Sequence, residues 1–149
     1  MKRELLNLVA KFNVMKKLSL LLLFVLALFV SCGSSFDAEV EKNKIFDIHD
    51  EVMPKMGELM SLKRKVIEKA SEVNAENASE LQNIAQELDE ASEGMMSWMR
   101  DWSKNSQQYM EMKNGTEAQK EYLAAEMERV IDVKEAINTS MAKAKEALK

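Results

Sequence analysis

From Leu81 to Met112 the chain repeats large side chains at alternating steps of three and four: Leu81, Ile84, Leu88, Ala91, Met95, Trp98, Trp102, Asn105, Tyr109 and Met112. A strand would need a period of two, so this spacing predicts one long helix. A seven-residue repeat held for more than four heptads further predicts coiled-coil-like packing against partner helices. Few residues oppose that reading, because the 149-residue chain holds only four glycines and one proline. A single cysteine and a single histidine exclude a disulfide scaffold and a cysteine-based zinc site, and remove most familiar catalytic constellations.

Two further segments carry helical periodicity. From about Asp37 to Val73, Ile45, Ile48, Val52, Met56, Leu59, Val66, Ala70 and Val73 form one stripe, with Asp47, Glu58, Lys65, Glu68 and Glu72 opposite. Pro54 interrupts it and removes the hydrogen bond to Asp50. We expect a bend there rather than a break, because the stripe continues on both sides; the alternative is a short leading helix ending near Glu51. Asn74 to Asn77 reads as the first connection, with Asn77 and Glu80 as a capping box. Lys113-Asn114-Gly115 reads as the second, Gly115 taking the left-handed conformation and Thr116 with Gln119 capping the last helix. The last stripe is Leu123, Met127, Val130, Ile137, Met141, Ala144 and Leu148, with Lys134 intruding where an apolar residue is due and expected to snorkel. Three segments of similar length joined by short connections imply an all-α, elongated up-down-up antiparallel three-helix bundle over residues 37–149.

The N-terminal segment belongs to a different class. Leu18 to Val30 (LSLLLLFVLALFV) has a single polar member, follows Lys16-Lys17 and precedes Ser31-Cys32-Gly33. It falls short of the ~18 apolar residues of a spanning helix and has the order of a secretion signal. Met15 heads a compact version of this signal and is a second candidate start. Phe29-Val30-Ser31-Cys32-Gly33 resembles the lipobox of bacterial lipoprotein precursors, although Phe29 stands where leucine is usual. The resemblance implies cleavage after Ser31 and acylation of the Cys32 thiol, giving a signal over 1–31 and a lipid-bearing tether over 32–36. An ordinary cleaved signal and an uncleaved anchor are the alternatives. Residues 32–149 alone carry 16 basic and 24 acidic side chains, a net −8. Such a surface repels nucleic-acid phosphates, so no nucleic-acid partner is expected, and membrane attachment would depend on the lipid.

Two clusters could carry chemistry. His49, Met53, Met56 and Met60 fall on one helix face, and thioethers beside an imidazole suit Cu(I). The plainer reading is that methionine fills irregular bundle interiors. Met95, Met96, Trp98, Met99 and Trp102 form either an aromatic core layer or an adaptable groove for apolar client segments, as in a holdase. Neither a Gly-rich phosphate loop nor a second histidine beside His49-Asp50-Glu51 is present, so a non-enzymatic protein without a resident cofactor is expected. Its partner would be another envelope component. The heptads can be satisfied within one chain or between chains, which leaves the oligomeric state open.

The segments His49-Asp50-Glu51-Val52-Met53-Pro54-Lys55-Met56, Met95-Met96-Ser97-Trp98-Met99-Arg100 and Val133-Lys134-Glu135 with Ile137-Asn138 resemble a group of small helical lipoproteins of Bacteroidota, often labelled viral A-type inclusion proteins. The resemblance spans most of Ile45 to Leu148. It implies a bacterial envelope protein facing the periplasm or cell surface, and it carries no activity or functional residue.

Overall fold

The computed structural model describes residues Phe36–Lys149, whose elements are all helical; the expected signal over 1–31, Cys32 and the expected tether before Phe36 lie outside the described residues. The helices are α1 (Ala38–Val52), α2 (Met56–Glu72), α3 (Ala75–Met110) and α4 (Glu117–Ala147), with a single 3-10 turn, Met53–Lys55, between the first two. The pair α1/α2 forms the first rod of a three-rod bundle. At 1.5 Å per residue the 36-residue α3 is about 54 Å long. No helix among the described residues is long and apolar enough to cross a membrane.

Pro54 disturbs the helix without ending it. The right-handed helical backbone runs through Val52, Met53, Lys55 and Met56, and the missing Pro54 N–H is absorbed by a turn in which Met56 N–H bonds to the Met53 carbonyl. The outcome therefore lies between the expected bend and its alternative. The α-helical bonding pauses and the apolar seam does not, since Ile45, Val52, Leu59 and Val66, seven residues apart, are all fully buried. Each contributes roughly 1.5–3 kcal/mol through burial.

Cross-helix pairs fix the direction of each rod. Glu51–Lys134 and Lys55–Asn138 both span 83 residues, so α1 and α4 run parallel in constant register. Asp101–Arg129 and Glu87–Lys143 span 28 and 56 residues, both centred on Gly115, so α3 and α4 are an antiparallel hairpin. Lys63 pairs with Asp89 between α2 and α3, and Lys69 Nζ donates to the Ala147 carbonyl at 2.8 Å, covering an open carbonyl at the end of α4. The resulting order is up-down-up.

The caps differ from their expected positions. Asn74, rather than Asn77, caps α3: its side chain accepts from Asn77 N–H at 3.0 Å, which shortens the first connection to Val73-Asn74. Gly115 does adopt positive φ (83°), but beyond the C-cap Glu111 and just before Thr116. The Thr116 side chain does not cap α4 and instead lies 3.8 Å from Met112 Sδ. Gln119 takes over: it accepts from Gly115 N–H at 2.9 Å and donates to the Tyr109 carbonyl at 2.9 Å, tying both sides of the turn together from a fully buried position.

The expected α4 stripe is present, with Leu123, Val130, Ile137, Met141 and Ala144 buried and Met127 and Leu148 half-buried against the core, and polar residues widen it. Gln119, Leu123, Glu126, Val130, Val133, Ile137, Ser140 and Ala144 alternate steps of four and three, and all are buried except the half-buried Val133. Lys134 is half-buried beside the seam and carries its ammonium outward, as expected of a snorkelling side chain, to the exposed Glu51 carboxylate, whose Oε2 accepts from its Nζ at 2.5 Å.

Candidate functional site

His49 lies on the last turn of α1, half-buried against the aromatic interior. Its ring centroid is 5.9 Å from that of Phe46 and 5.7 Å from that of Trp98. Its Nδ1 is 2.8 Å from Asp50 Oδ1, so a ligand bond from this ring would use Nε2, with the carboxylate fixing the tautomer. Met53 and Met56 pack against the core from the 3-10 turn and the start of α2. Met60 is 37% exposed and stands one turn beyond them. The proline turn thus carries His49, Met53 and Met56 in the half-buried layer and leaves Met60 at the surface. No group of three or more His, Cys, Asp or Glu side chains able to hold a metal occurs among the described residues. A metal at this face would have to rely on thioether sulfur and one imidazole.

The Met/Trp cluster is mostly interior. Met95, Trp98 and Trp102 are buried, while Met96 and Met99 are half-buried and pack against the core. A client segment would reach the tryptophans only if helices parted. The indoles belong to a longer aromatic run: Trp98–Trp102 centroids are 5.8 Å apart, Trp102–Tyr122 5.9 Å, and Tyr109 stacks on Tyr122 at 4.0 Å and 5°. Phe46 meets both indoles edge-on at 6.3 and 5.3 Å. Such edge-to-face and offset pairs each add about 0.5–1.5 kcal/mol beyond area burial.

A polar cluster beside this run was not visible as an apolar stripe. Glu126 is buried on α4; its Oε1 accepts from Arg129 Nη1 at 3.0 Å, and Arg129 Nη2 donates to Asp101 Oδ2 of α3 at 2.7 Å. The bond to Asp101, more than the pull of Glu126, raises the Arg129 pKa. Burial, then the neighbouring Glu126 carboxylate, pushes the Tyr122 phenol up to about 12. Glu126 Oε2, Tyr122 Oη and Trp98 Nε1 are buried without a protein hydrogen-bond partner. Tyr122 and Glu126 are one helical turn apart, a phenolic donor and a carboxylate acceptor on one face. The cluster locks α3 to α4. It offers neither a nucleophile with an adjacent base nor an oxyanion site, so it has no evident catalytic arrangement.

Outside the core, a groove of about 390 Å³ runs between α3 and α4, floored by Ala91, Gly94, Val133 and Ala136 with Glu87, Glu90 and Asp132 among its lining residues. At the far end of the bundle, Lys65, Lys69, Lys145 and Lys149 share a shallow, mixed-charge depression with Glu68 and Glu72.

No family model, curated protein or solved structure matches this chain.

Proposed function

We propose that the protein is a cell-envelope lipoprotein, anchored through an acylated Cys32, whose acidic helical bundle acts without catalysis by binding another envelope component. The observation that carries this reading is the sequence order of basic residues, a thirteen-residue apolar run and Ser31-Cys32-Gly33, followed within four residues by a compact folded unit at Phe36. Each buried acyl methylene contributes ~0.8 kcal/mol, and several chains together hold a protein firmly at a bilayer. The test is metabolic labelling with a fatty acid, combined with membrane fractionation. Labelling and membrane recovery that are both lost in Cys32→Ser support the reading. Unchanged membrane recovery without any label would favour an uncleaved anchor instead.

A second reading is Cu(I) handling, favoured by the half-buried placement of His49, Met53 and Met56 around the proline turn. Soft thioethers select Cu(I) over the harder divalent ions. Titration against a chromogenic Cu(I) competitor tests it. Binding tighter than micromolar, lost when His49, Met53, Met56 and Met60 are replaced, supports it; weaker binding, or binding indifferent to those replacements, sinks it.

A further inference from the structure

The end of the bundle that meets the membrane is set by how the chain enters the fold. The Asn114 side chain, in the α3–α4 turn, grips the entry on both of its polar groups: Nδ2 donates to the Phe36 carbonyl at 3.0 Å, and Oδ1 accepts from Ala38 N–H at 3.0 Å. The Phe36 ring packs partly buried against the core, with Lys120 Nζ 5.9 Å from its centroid. Gly115, at φ 83°, passes so close that a Cβ there would lie 3.9 Å from Phe36 Cδ1. Phe36 is therefore fixed to the α3–α4 turn by two hydrogen bonds and by packing.

We propose that this α3–α4 turn is the membrane-facing surface of the protein, apposed to lipid headgroups, and that the Val73-Asn74 turn points away from the bilayer. The inference rests on acylation of Cys32. Only Gly33, Ser34 and Ser35 separate Cys32 from Phe36, and at most ~3.6 Å per residue the four steps reach no farther than about 14 Å in any conformation. The opposite end lies a full helix away, about 54 Å along α3. At the near end the turn exposes Met112 and Lys113 among the exposed carboxylates Asp37, Glu39, Glu111 and Glu117, so it is the short tether, and not surface charge, that brings this end to the bilayer. The distal end, with Val73-Asn74 and the α4 terminus, is then the part presented to a partner.

Acylation consumes the only native thiol, so Lys113→Cys and Asn74→Cys each introduce one unique labelling site. The purified acylated full chain is placed in phosphatidylcholine/phosphatidylglycerol vesicles containing a headgroup-quencher lipid, and a fluorophore is read at each position. The expected result is quenching severalfold stronger at position 113 than at 74. Asn114→Ala should reduce that contrast, because it frees the entry from the turn while leaving the acyl anchor intact. Equal quenching at both positions, or stronger quenching at 74, overturns the orientation even when Cys32 is acylated. Mass spectrometry showing an unmodified Cys32 overturns both this inference and the lipoprotein reading. A contrast untouched by Asn114→Ala overturns the clamp as its cause.

Discussion

Replacing Gly94 and Gly115 by alanine, one at a time, should move stability in opposite directions. Gly94 lies mid-way along α3, where a Cβ would rest 3.8 Å from Val133 Cγ2, an ordinary van der Waals contact. Glycine in a helix interior is about 0.8–1.0 kcal/mol less favourable than alanine, so Gly94→Ala should stabilise by about 1 kcal/mol. Gly115 has φ 83°, a conformation that costs an L-residue roughly 1–2 kcal/mol, and its nearest neighbour at 3.9 Å adds no clash. Alanine's smaller unfolded-state entropy returns about 0.4–1 kcal/mol, leaving a net loss of about 1 kcal/mol.

Urea and thermal unfolding followed by far-UV circular dichroism measure both changes. At ~2.1 cal/mol/K per residue, 1 kcal/mol corresponds to about 4 °C in Tm for a bundle of roughly 115 residues. Gly115→Asn should recover part of the Gly115→Ala loss, because asparagine tolerates the left-handed region. A neutral or stabilising Gly115→Ala would refute the backbone argument. A Gly94→Ala that loses more than about 1 kcal/mol would show that α3 and α4 need a bare backbone at their crossing, which a 3.8 Å contact does not require.

Arg129→Met should cost about 2–3 kcal/mol, near the lower end for a broken buried pair, because Arg129 is 43% exposed while the Glu126 side chain is only 6% exposed. Arg129→Met with Glu126→Leu should recover most of that loss in chemical denaturation, whereas strictly additive losses would show that the two side chains do not interact. In a spectrophotometric pH titration, a tyrosinate step near 12 should vanish in Tyr122→Phe. Because that folded value lies above the ordinary phenol value of ~10, the Tyr122 contribution is fully present below pH ~10 and is lost as pH rises through about 12. The hydrogen bond from Lys134 lowers the Glu51 pKa, so its favourable effect holds above the ordinary carboxylate range and fades as pH falls through the lowered value. In Lys134→Met, carboxyl NMR should show Glu51 titrating at higher pH; an unmoved titration would mean that the pair does not form in solution.

The sequence made the helices legible because their seams are apolar and evenly spaced, and Pro54 could not hide a stripe in which every seventh residue from Ile45 to Val66 is buried. Its caps were harder to place, since Asn74 and Asn77 offer the same side chain three residues apart and only geometry decides which one turns back onto the backbone. The α4 stripe was legible at its apolar positions, with Leu123, Val130, Ile137, Met141 and Ala144 buried as expected, and incomplete at its polar ones. Apolar spacing does not reveal that Gln119, Glu126 and Ser140 are buried alongside that stripe, whereas Lys134 does interrupt the series of Met127 and Met141. The steps of four and three from Gln119 to Ala144 contain these additional positions once polar residues are admitted. Those polar residues are where the fold departs from a generic coiled coil: Gln119 ties the two sides of the turn, and Glu126 accepts from Arg129, which also donates across to Asp101 on α3. A one-residue slip of this hairpin would turn the apolar seam by about 100°, and a seven-residue slip, which restores the seam, would still part Gln119 from the Tyr109 carbonyl and Arg129 from Asp101; the first of these bonds is part-buried, where an unmade bond costs about 1–3 kcal/mol. Gln119 and Arg129 thus help to select one register, and with it the placement of Asn114 and Gly115 against Phe36, on which the proposed orientation of the bundle rests.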